Sequence, residues 1–156
     1  MNSTFRCDSC GQDKLEREFN KDNTRTCAAC ILRKHQRSVS KSHEAFLRNL
    51  YSKAKSAVKA GKRADHVVFL IEPEDVIDLW HKQQGRCAVS GVVLTHHKDG
   101  SGRKDFNASL DRISSEHGYT VDNVQLVCYR ANLMKHNLSE DMFYWWVRTI
   151  YDFSCK

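Results

Sequence analysis

Four cysteines near the start of the chain have the spacing C-x2-C-x16-C-x2-C: Cys7, Cys10, Cys27 and Cys30. Two C-x2-C pairs present four thiolates on two tight turns, which is the ligand set of tetrahedral zinc. A closed site of this kind has no open position for a substrate, so the spacing predicts a structural Zn2+. The other cysteines lack such partners, and we expect Cys87 and Cys128 to be buried small apolar side chains.

A second group of chemically useful residues lies in residues 108–135, ASLDRISSEHGYTVDNVQLVCYRANLMK. The pattern predicts a strand at 108–113, a loop with a turn at Gly118, a second short strand at 124–127 and a helix at 129–135. If these elements pack as a ββα unit, Asp111 and Asn132 can face each other across the groove between strand and helix. One carboxylate and one amide oxygen suit a hard cation such as Mg2+.

Several short motifs occur together within residues 86–140: Leu110-Asp111-Arg112-Ile113, Gly118-Tyr119, Asp122-Asn123-Val124, Asn132 and Lys135. Each is common alone, whereas the combination is specific. It resembles the HNH nucleases of the ββα-metal (His-Me) finger superfamily, and in particular the small phage-type members.

The resemblance implies a metal-dependent DNA endonuclease in which Asp111 and Asn132 bind one Mg2+ or Mn2+ ion. It implies that the ion binds the scissile phosphate while a water molecule attacks from the opposite side. Asn123 is expected to brace the loop by hydrogen bonding without touching the metal. Lys135 is expected to stabilise the phosphate or the finger helix.

The chain departs from the family at Arg112, because the family has its general-base histidine directly after the acidic residue. A guanidinium keeps its proton at any ordinary pH, so Arg112 can hold a phosphate but cannot take a proton from water. Catalysis then requires another base. The sequence offers His117 in the loop between the strands, His96 or His97 upstream, or a metal-bound water acting alone.

Positive charge is concentrated in the first part of the chain. Residues 1–65 hold 15 lysines and arginines against 7 acidic residues, and residues 66–156 hold 10 against 12, which together give the net charge of +6. A basic segment favours nucleic acid as partner, here double-stranded or branched DNA, although a solvated lysine-rich face explains the charge equally well. Without a long apolar run or a signal-peptide core, we expect no membrane partner and an intracellular location.

These patterns predict an α+β architecture in three parts. Residues 1–38 form a zinc ribbon or knuckle, residues 39–65 a basic helix and linker, and residues 66–156 an HNH-like ββα-metal finger with supporting helices. Apolar spacing predicts helices at 42–60, 73–84 and from 139 onward, an extended segment at 66–71 and a hairpin at 87–94. The last helix is rich in aromatic residues, for which core packing is the favoured interpretation and a homodimer surface the alternative.

The functional prediction is therefore a metal-dependent HNH-type endonuclease that binds DNA through its basic N-terminal zinc module. A catalytically inactive HNH-like nucleic-acid-binding protein of a phage or virus is the alternative. Arg112 favours that alternative, and the metal-ligand types at Asp111 and Asn132 oppose it. A third hypothesis makes the four-cysteine module a protein-docking adaptor, but its positive charge favours nucleic acid.

Overall fold

The computed structural model describes residues 3–20, 23–62, 67–98, 100–102 and 104–155. Residues 63–66, where the predicted linker ends and the predicted extended segment begins, lie outside the described residues. The described part is a mixed α+β structure, as the sequence predicted. It has five α-helices and three two-stranded sheets.

The N-terminal module consists of two small antiparallel hairpins. Strand β1 (Thr4–Arg6) pairs with β2 (Asp13–Leu15), and β3 (Phe19–Asn20) pairs with β4 (Asn23–Cys27). The rings of Phe5 and Phe19 meet edge to face with their centroids 5.9 Å apart. Little apolar surface is buried here, because the interior of the module is made of Phe19 and three of the four predicted zinc ligands.

Two consecutive helices connect the module to the rest of the molecule. Helix α1 (Ala28–Ser40) begins directly after Cys27, in a segment where the sequence predicted no helix. Helix α2 (His43–Lys59) begins after Ser42, as predicted, and buries its apolar face in the main core. That core runs from Val39 to Ala131, so α2 packs with the C-terminal elements, while the predicted boundaries between the three parts stay predictions.

Helix α3 (Pro73–Lys82) starts with proline at its first position, where the missing N–H costs nothing. Gln83 just beyond it connects the helix to the second finger strand, since its side chain donates to the Leu126 carbonyl and accepts from the Leu126 amide. The predicted hairpin at 87–94 is reduced to a single bridge between Arg86 and Val93. Of the extended segment, residues 68–70 lie beside Tyr119, held by two backbone hydrogen bonds.

The predicted ββα unit is present. Strand β5 (Ala108–Arg112) pairs antiparallel with β6 (Val124–Cys128), and helix α4 (Tyr129–Lys135) follows directly. Every residue of β6 is buried, which places the strand inside the core. Gly118 in the connecting loop approaches the backbone of Val68 so closely that a Cβ atom would lie 2.4 Å from the Val68 carbonyl oxygen. Glycine is required there to let the extended segment dock on the loop.

Helix α5 (Glu140–Ser154) is present as predicted, with the Ser139 hydroxyl accepting from the Met142 amide as an N-cap. The prediction that its aromatic residues pack in the core was wrong, because Phe143 is its one buried residue in the described structure. Cys87 and Cys128 are buried small side chains, as predicted. No helix in the described ranges has both the length and the apolar character needed to cross a bilayer.

Candidate metal centre and finger cavity

The structure brings the four N-terminal cysteines into one cluster. Their Sγ atoms all lie within 4.8 Å of one another, and three of the four side chains are buried. A tetrahedral zinc ion with Zn–S bonds of about 2.3 Å requires Sγ–Sγ separations of about 3.8 Å, which small side-chain adjustments reach from here. The four cysteines can therefore hold a metal ion, and a four-thiolate donor set suits zinc.

The polypeptide around the cluster favours the thiolate form of Cys7. The backbone amide of Cys27 donates to Cys7 Sγ at 3.3 Å and, aided by the amides of Cys10 and Ser9 against the opposing effect of burial, lowers the pKa of Cys7 to about 6. The turn closes through the amide of Gly11, which donates to the Cys7 carbonyl. Because thiolates are the form that binds metal, the loop is arranged for ligation at neutral pH.

Asp111 lies at the centre of the finger and is almost completely buried. Its Oδ2 atom is 3.2 Å from the ammonium nitrogen of Lys135 on α4, which also donates to the Arg112 carbonyl. Gln125 on the paired strand donates to the same carboxylate at 3.1 Å. The charge of the buried carboxylate is thus balanced by an equally buried lysine, which offsets the cost of removing both from water.

A small cavity of about 80 Å³ lies where β5, the following loop and α4 meet, and residues from all three elements line it: Leu110, Asp111, Arg112, Ser115, Tyr119, Asn132 and His136. Asn132 donates its side-chain nitrogen to Ser109 Oγ at 2.7 Å. Among the contacts of the described residues, its amide oxygen accepts no hydrogen bond. The sequence prediction that Asp111 and Asn132 share one groove therefore agrees with the geometry, although their metal-binding roles stay predictions.

His136 is the residue of this cavity that sequence reasoning missed. It follows Asn132 by four positions and is the C-cap of α4, with a positive φ of 49° and a ψ of −113°. Its Nδ1 lies 3.0 Å from Asn137 Oδ1, so that with Nδ1 donating, Nε2 is left as an acceptor. Helical spacing gave no signal for His136, because it lies one residue beyond the end of α4 and its backbone leaves the helical conformation there.

Asn123 is buried and uses its whole side chain on the loop between the two finger strands. Its oxygen accepts from the Ser114 amide at 2.9 Å, and its nitrogen donates to the carbonyls of Ser114 and Gly118 at 3.0 and 2.8 Å. These three bonds tie the start of the loop to its end. Asn123 thus fixes the loop that follows β5 and that contributes Ser115 to the lining of the cavity, while any part in catalysis stays a prediction.

Arg112 lines the cavity, and its guanidinium is held against the loop. It donates to the carbonyls of Ser115 and His117 and lies 5.4 Å from the ring centre of Tyr119. His117 itself is exposed and is not among the residues that line the cavity. His96 and His97 are not among them either, because His96 packs beside Trp80 and His97 lies next to Asn107.

Comparison with known proteins adds one similarity. No protein-family model matches the chain, and no curated protein matches it. Among solved structures, the chain is similar to the rare-cutting HNH restriction endonuclease PacI, with 18% identity, a TM-score of 0.40 and coverage of 88% of this chain and 87% of that chain. Similarity at this level assigns neither a family nor an activity, so the function proposed below rests on this chain's own residues.

Proposed function

We propose that this protein is a metal-dependent HNH-type DNA endonuclease that hydrolyses or nicks phosphodiester bonds. The observation that supports the proposal is the cavity between β5 and α4, where a carboxylate, an amide and an imidazole converge on a ββα unit. Asp111, Asn132 and His136 offer two oxygen donors and one nitrogen donor, a set that suits a hard divalent ion such as Mg2+ or Mn2+. A cavity with so few protein ligands leaves coordination positions open.

The side chains around the cavity fit this ion. Each carboxylate oxygen has two lone pairs, so Asp111 can keep its contacts with Lys135 and Gln125 and still face the cavity. Asn137 orients the His136 ring so that Nε2 is left as an acceptor. When bound, the ion would neutralise charge on the scissile phosphate.

The chain's own cations would hold the phosphate. Arg112 lines the cavity, and hydrogen bonds to the loop hold its guanidinium in place. A planar guanidinium can bind two phosphate oxygens at once. Lys135 is fully buried against Asp111, so its role in this proposal is to hold the carboxylate in place and to balance its charge. Arg112 cannot be the general base. Of the predicted candidates we keep His117 as a proposal, although it does not line the cavity.

DNA binding is proposed for the basic helices beside the zinc module. The exposed cations follow one another along α1 and α2: Arg33, Lys34, Arg37, Lys53, Lys55 and Lys59. Their positive charge attracts phosphates without reading sequence. With structural Zn2+ bound, the four-cysteine cluster would hold the first turn of α1 in place. It would thereby orient the row of exposed cations on that helix.

One observation favours the alternative of an inactive DNA-binding protein. Lys135 places a positive charge 3.2 Å from the carboxylate that would bind the cation, and Arg112 stands where a base is expected. In that case the finger would be a scaffold for DNA binding, and the buried ion pair would occupy the place of the metal.

Cleavage of supercoiled plasmid in Mg2+ or Mn2+ distinguishes the two functions. We expect metal-dependent nicking by the wild-type protein and, in Asp111→Asn and His136→Ala, a loss larger than the about 10–100-fold typical of outer-shell partners. Asp105→Asn removes the same charge from an exposed position outside the cavity and should leave nicking intact. Comparing His117→Ala with His136→Ala tells which histidine serves the reaction.

Binding has to be measured on the same samples. A zinc-loaded, folded wild-type protein that shifts DNA in a gel but never nicks it in either metal contradicts the nuclease proposal and supports the inactive binder. Equal nicking by wild type and Asp111→Asn would mean that the activity comes from elsewhere.

A further inference from the structure

We propose that the exposed apolar side of helix α5 is an interface between two copies of this chain. The helix has 15 residues and a length of about 22 Å. It is attached to the core at its N-terminal end, through the buried ring of Phe143 and a hydrogen bond from the Tyr144 hydroxyl to the Val89 carbonyl. A helix of this length is marginal in water by itself, so its C-terminal half needs cover.

The uncovered apolar surface is large. Eight large apolar side chains of α5 are 41–80% exposed: Met142, Tyr144, Trp145, Trp146, Val147, Ile150, Tyr151 and Phe153. Since each aromatic side chain can bury about 150–250 Å², together they offer on the order of 800 Å². The largest apolar patch on a typical monomer is about 300–600 Å², whereas a standard interface buries about 800 Å² per partner.

The charges of the helix exclude nucleic acid and lipid headgroups as its partner. Its polar side carries Asp141 and Asp152 against Arg148, a net negative charge. Phosphate backbones and anionic membranes would be repelled, and membrane-surface helices carry lysine and arginine on their polar face. The basic surface for nucleic acid lies instead on α1 and α2. The partner of α5 is therefore a protein surface.

A second copy fits because the required partner surface adjoins the helix. An apolar groove of about 440 Å³ runs beside α5 and is lined by Val89, Val92, Phe106 and Met134 from the domain. Tyr144 and Val147 of α5 line the groove as well and belong to the exposed apolar face. The groove and the exposed apolar side chains of α5 thus form one continuous surface. A two-fold contact requires such self-complementarity, because the α5 side chains of each copy enter the groove of the other.

A dimer of this kind would also place two finger cavities in one particle, a consequence that rests on the proposed nuclease function. Two cavities related by a two-fold axis suit a pair of cuts on the two antiparallel strands of DNA. The dimer itself follows from α5 alone, so it can be tested without DNA or divalent ions.

Sedimentation equilibrium of the zinc-loaded full chain tests the proposal, in reducing buffer because Cys155 is exposed. We expect a mass twice the 18.0 kDa of one chain at micromolar concentration. Ile150→Glu places a charge on the apolar face and should give the monomer mass, and Phe153→Glu should do the same. Both positions are exposed in the monomer, so the substitutions leave its fold intact.

Arg148→Glu is the matched control, because it places a negative charge on the exposed polar side of the same helix, beside Asp141 and Asp152 and nearly opposite Ile150, and should leave the dimer intact. Emission from Trp145 and Trp146 should move to longer wavelength when wild type is diluted, but not when Ile150→Glu is diluted.

A wild-type chain that stays monomeric at high micromolar concentration overturns the proposal, whether or not it binds DNA or phosphatidylglycerol vesicles. Equal dissociation by Arg148→Glu and Ile150→Glu overturns the assignment of the face. Asp111→Asn should stay dimeric even if it loses nicking.

Discussion

The N-terminal module and the C-terminal core are stabilised in different ways. Three of the four buried residues that form the module's interior are cysteines of the metal cluster. The core, in contrast, joins apolar side chains from α2, α3, both finger strands and α4 in one cluster. In the module a bound metal ion would replace the hydrophobic core that so short a segment cannot build, whereas the finger has an apolar interior without any ion.

Removing the metal ligands should produce the largest effect, and it should be confined to the module. Structural zinc contributes about 10–16 kcal/mol to the folding of small zinc domains, so Cys7→Ser should lose zinc and unfold β1 to β4. Strands β5 and β6 should keep their amide protection, because their core contains no metal. Zinc analysis and hydrogen exchange by mass spectrometry measure both parts.

Cys155→Ser supplies the control, since Cys155 is exposed and lies outside the cluster. Zinc content and exchange should match those of wild type. If Cys7→Ser keeps its zinc, or if the finger strands lose protection together with the module, the two regions are not held independently in the way described.

The second prediction concerns the charges inside the core. Lys135→Met leaves the buried Asp111 carboxylate without its cation and should destabilise the protein by about 3–5 kcal/mol, since an uncompensated buried charge is costly. Arg130→Met breaks the exposed Arg130–Asp105 ion pair and should cost only about 0–1 kcal/mol. Urea unfolding of both variants gives the two numbers.

The double variant Asp111→Asn, Lys135→Met separates pairing from packing. If the pair matters through charge compensation, the double variant should be more stable than Lys135→Met alone, because no unpaired charge remains. Similar small losses for Lys135→Met and Arg130→Met would show that Lys135 and Asp111 are not truly removed from water.

The finger elements were predictable because their signals are local. Alternating apolar residues and the turn at Gly118 gave β5 and β6, and the absence of breakers gave α4, which ends at Lys135 as predicted. Helix α1 was missed because basic residues and zinc ligands obscure its short apolar face. The aromatic residues of α5 predicted that one side of the helix is buried. The pattern could not tell whether the chain's own core or another molecule buries it.

The site was predictable to the extent that it depends on the ββα pattern. That pattern placed Asp111 and Asn132 at one groove, and the four-cysteine spacing gave the metal cluster. His136 was missed because its approach to the cavity depends on a positive φ at a helix end, which no periodicity reveals. The pairing of Lys135 with Asp111 was equally hidden, since it arises from tertiary packing of strand and helix.

The smallest effect is expected at Lys98, whose position contrasts with that of the paired Lys135. Lys98 is half-buried over the Phe46 ring, hydrogen-bonded to Asn49, and has no acidic partner among the contacts described. Burial, and then the nearby charge of Lys53, lower the pKa of Lys98 to about 8. The folded protein therefore bears a penalty for the charged form below pH 8.

Because the unfolded chain binds more protons between about pH 8 and the ordinary lysine pKa of about 10.4, this penalty is relieved as the pH rises through that window. Lys98→Met removes it at every pH and should stabilise the protein by about 1 kcal/mol at pH 7, after allowance for solvent screening. The stability difference from wild type should shrink toward high pH. Lys59→Met, an exposed lysine on the same helix as Lys53, should show no such dependence. A Lys98→Met advantage that is constant with pH would mean that the gain comes from apolar packing and not from the buried charge.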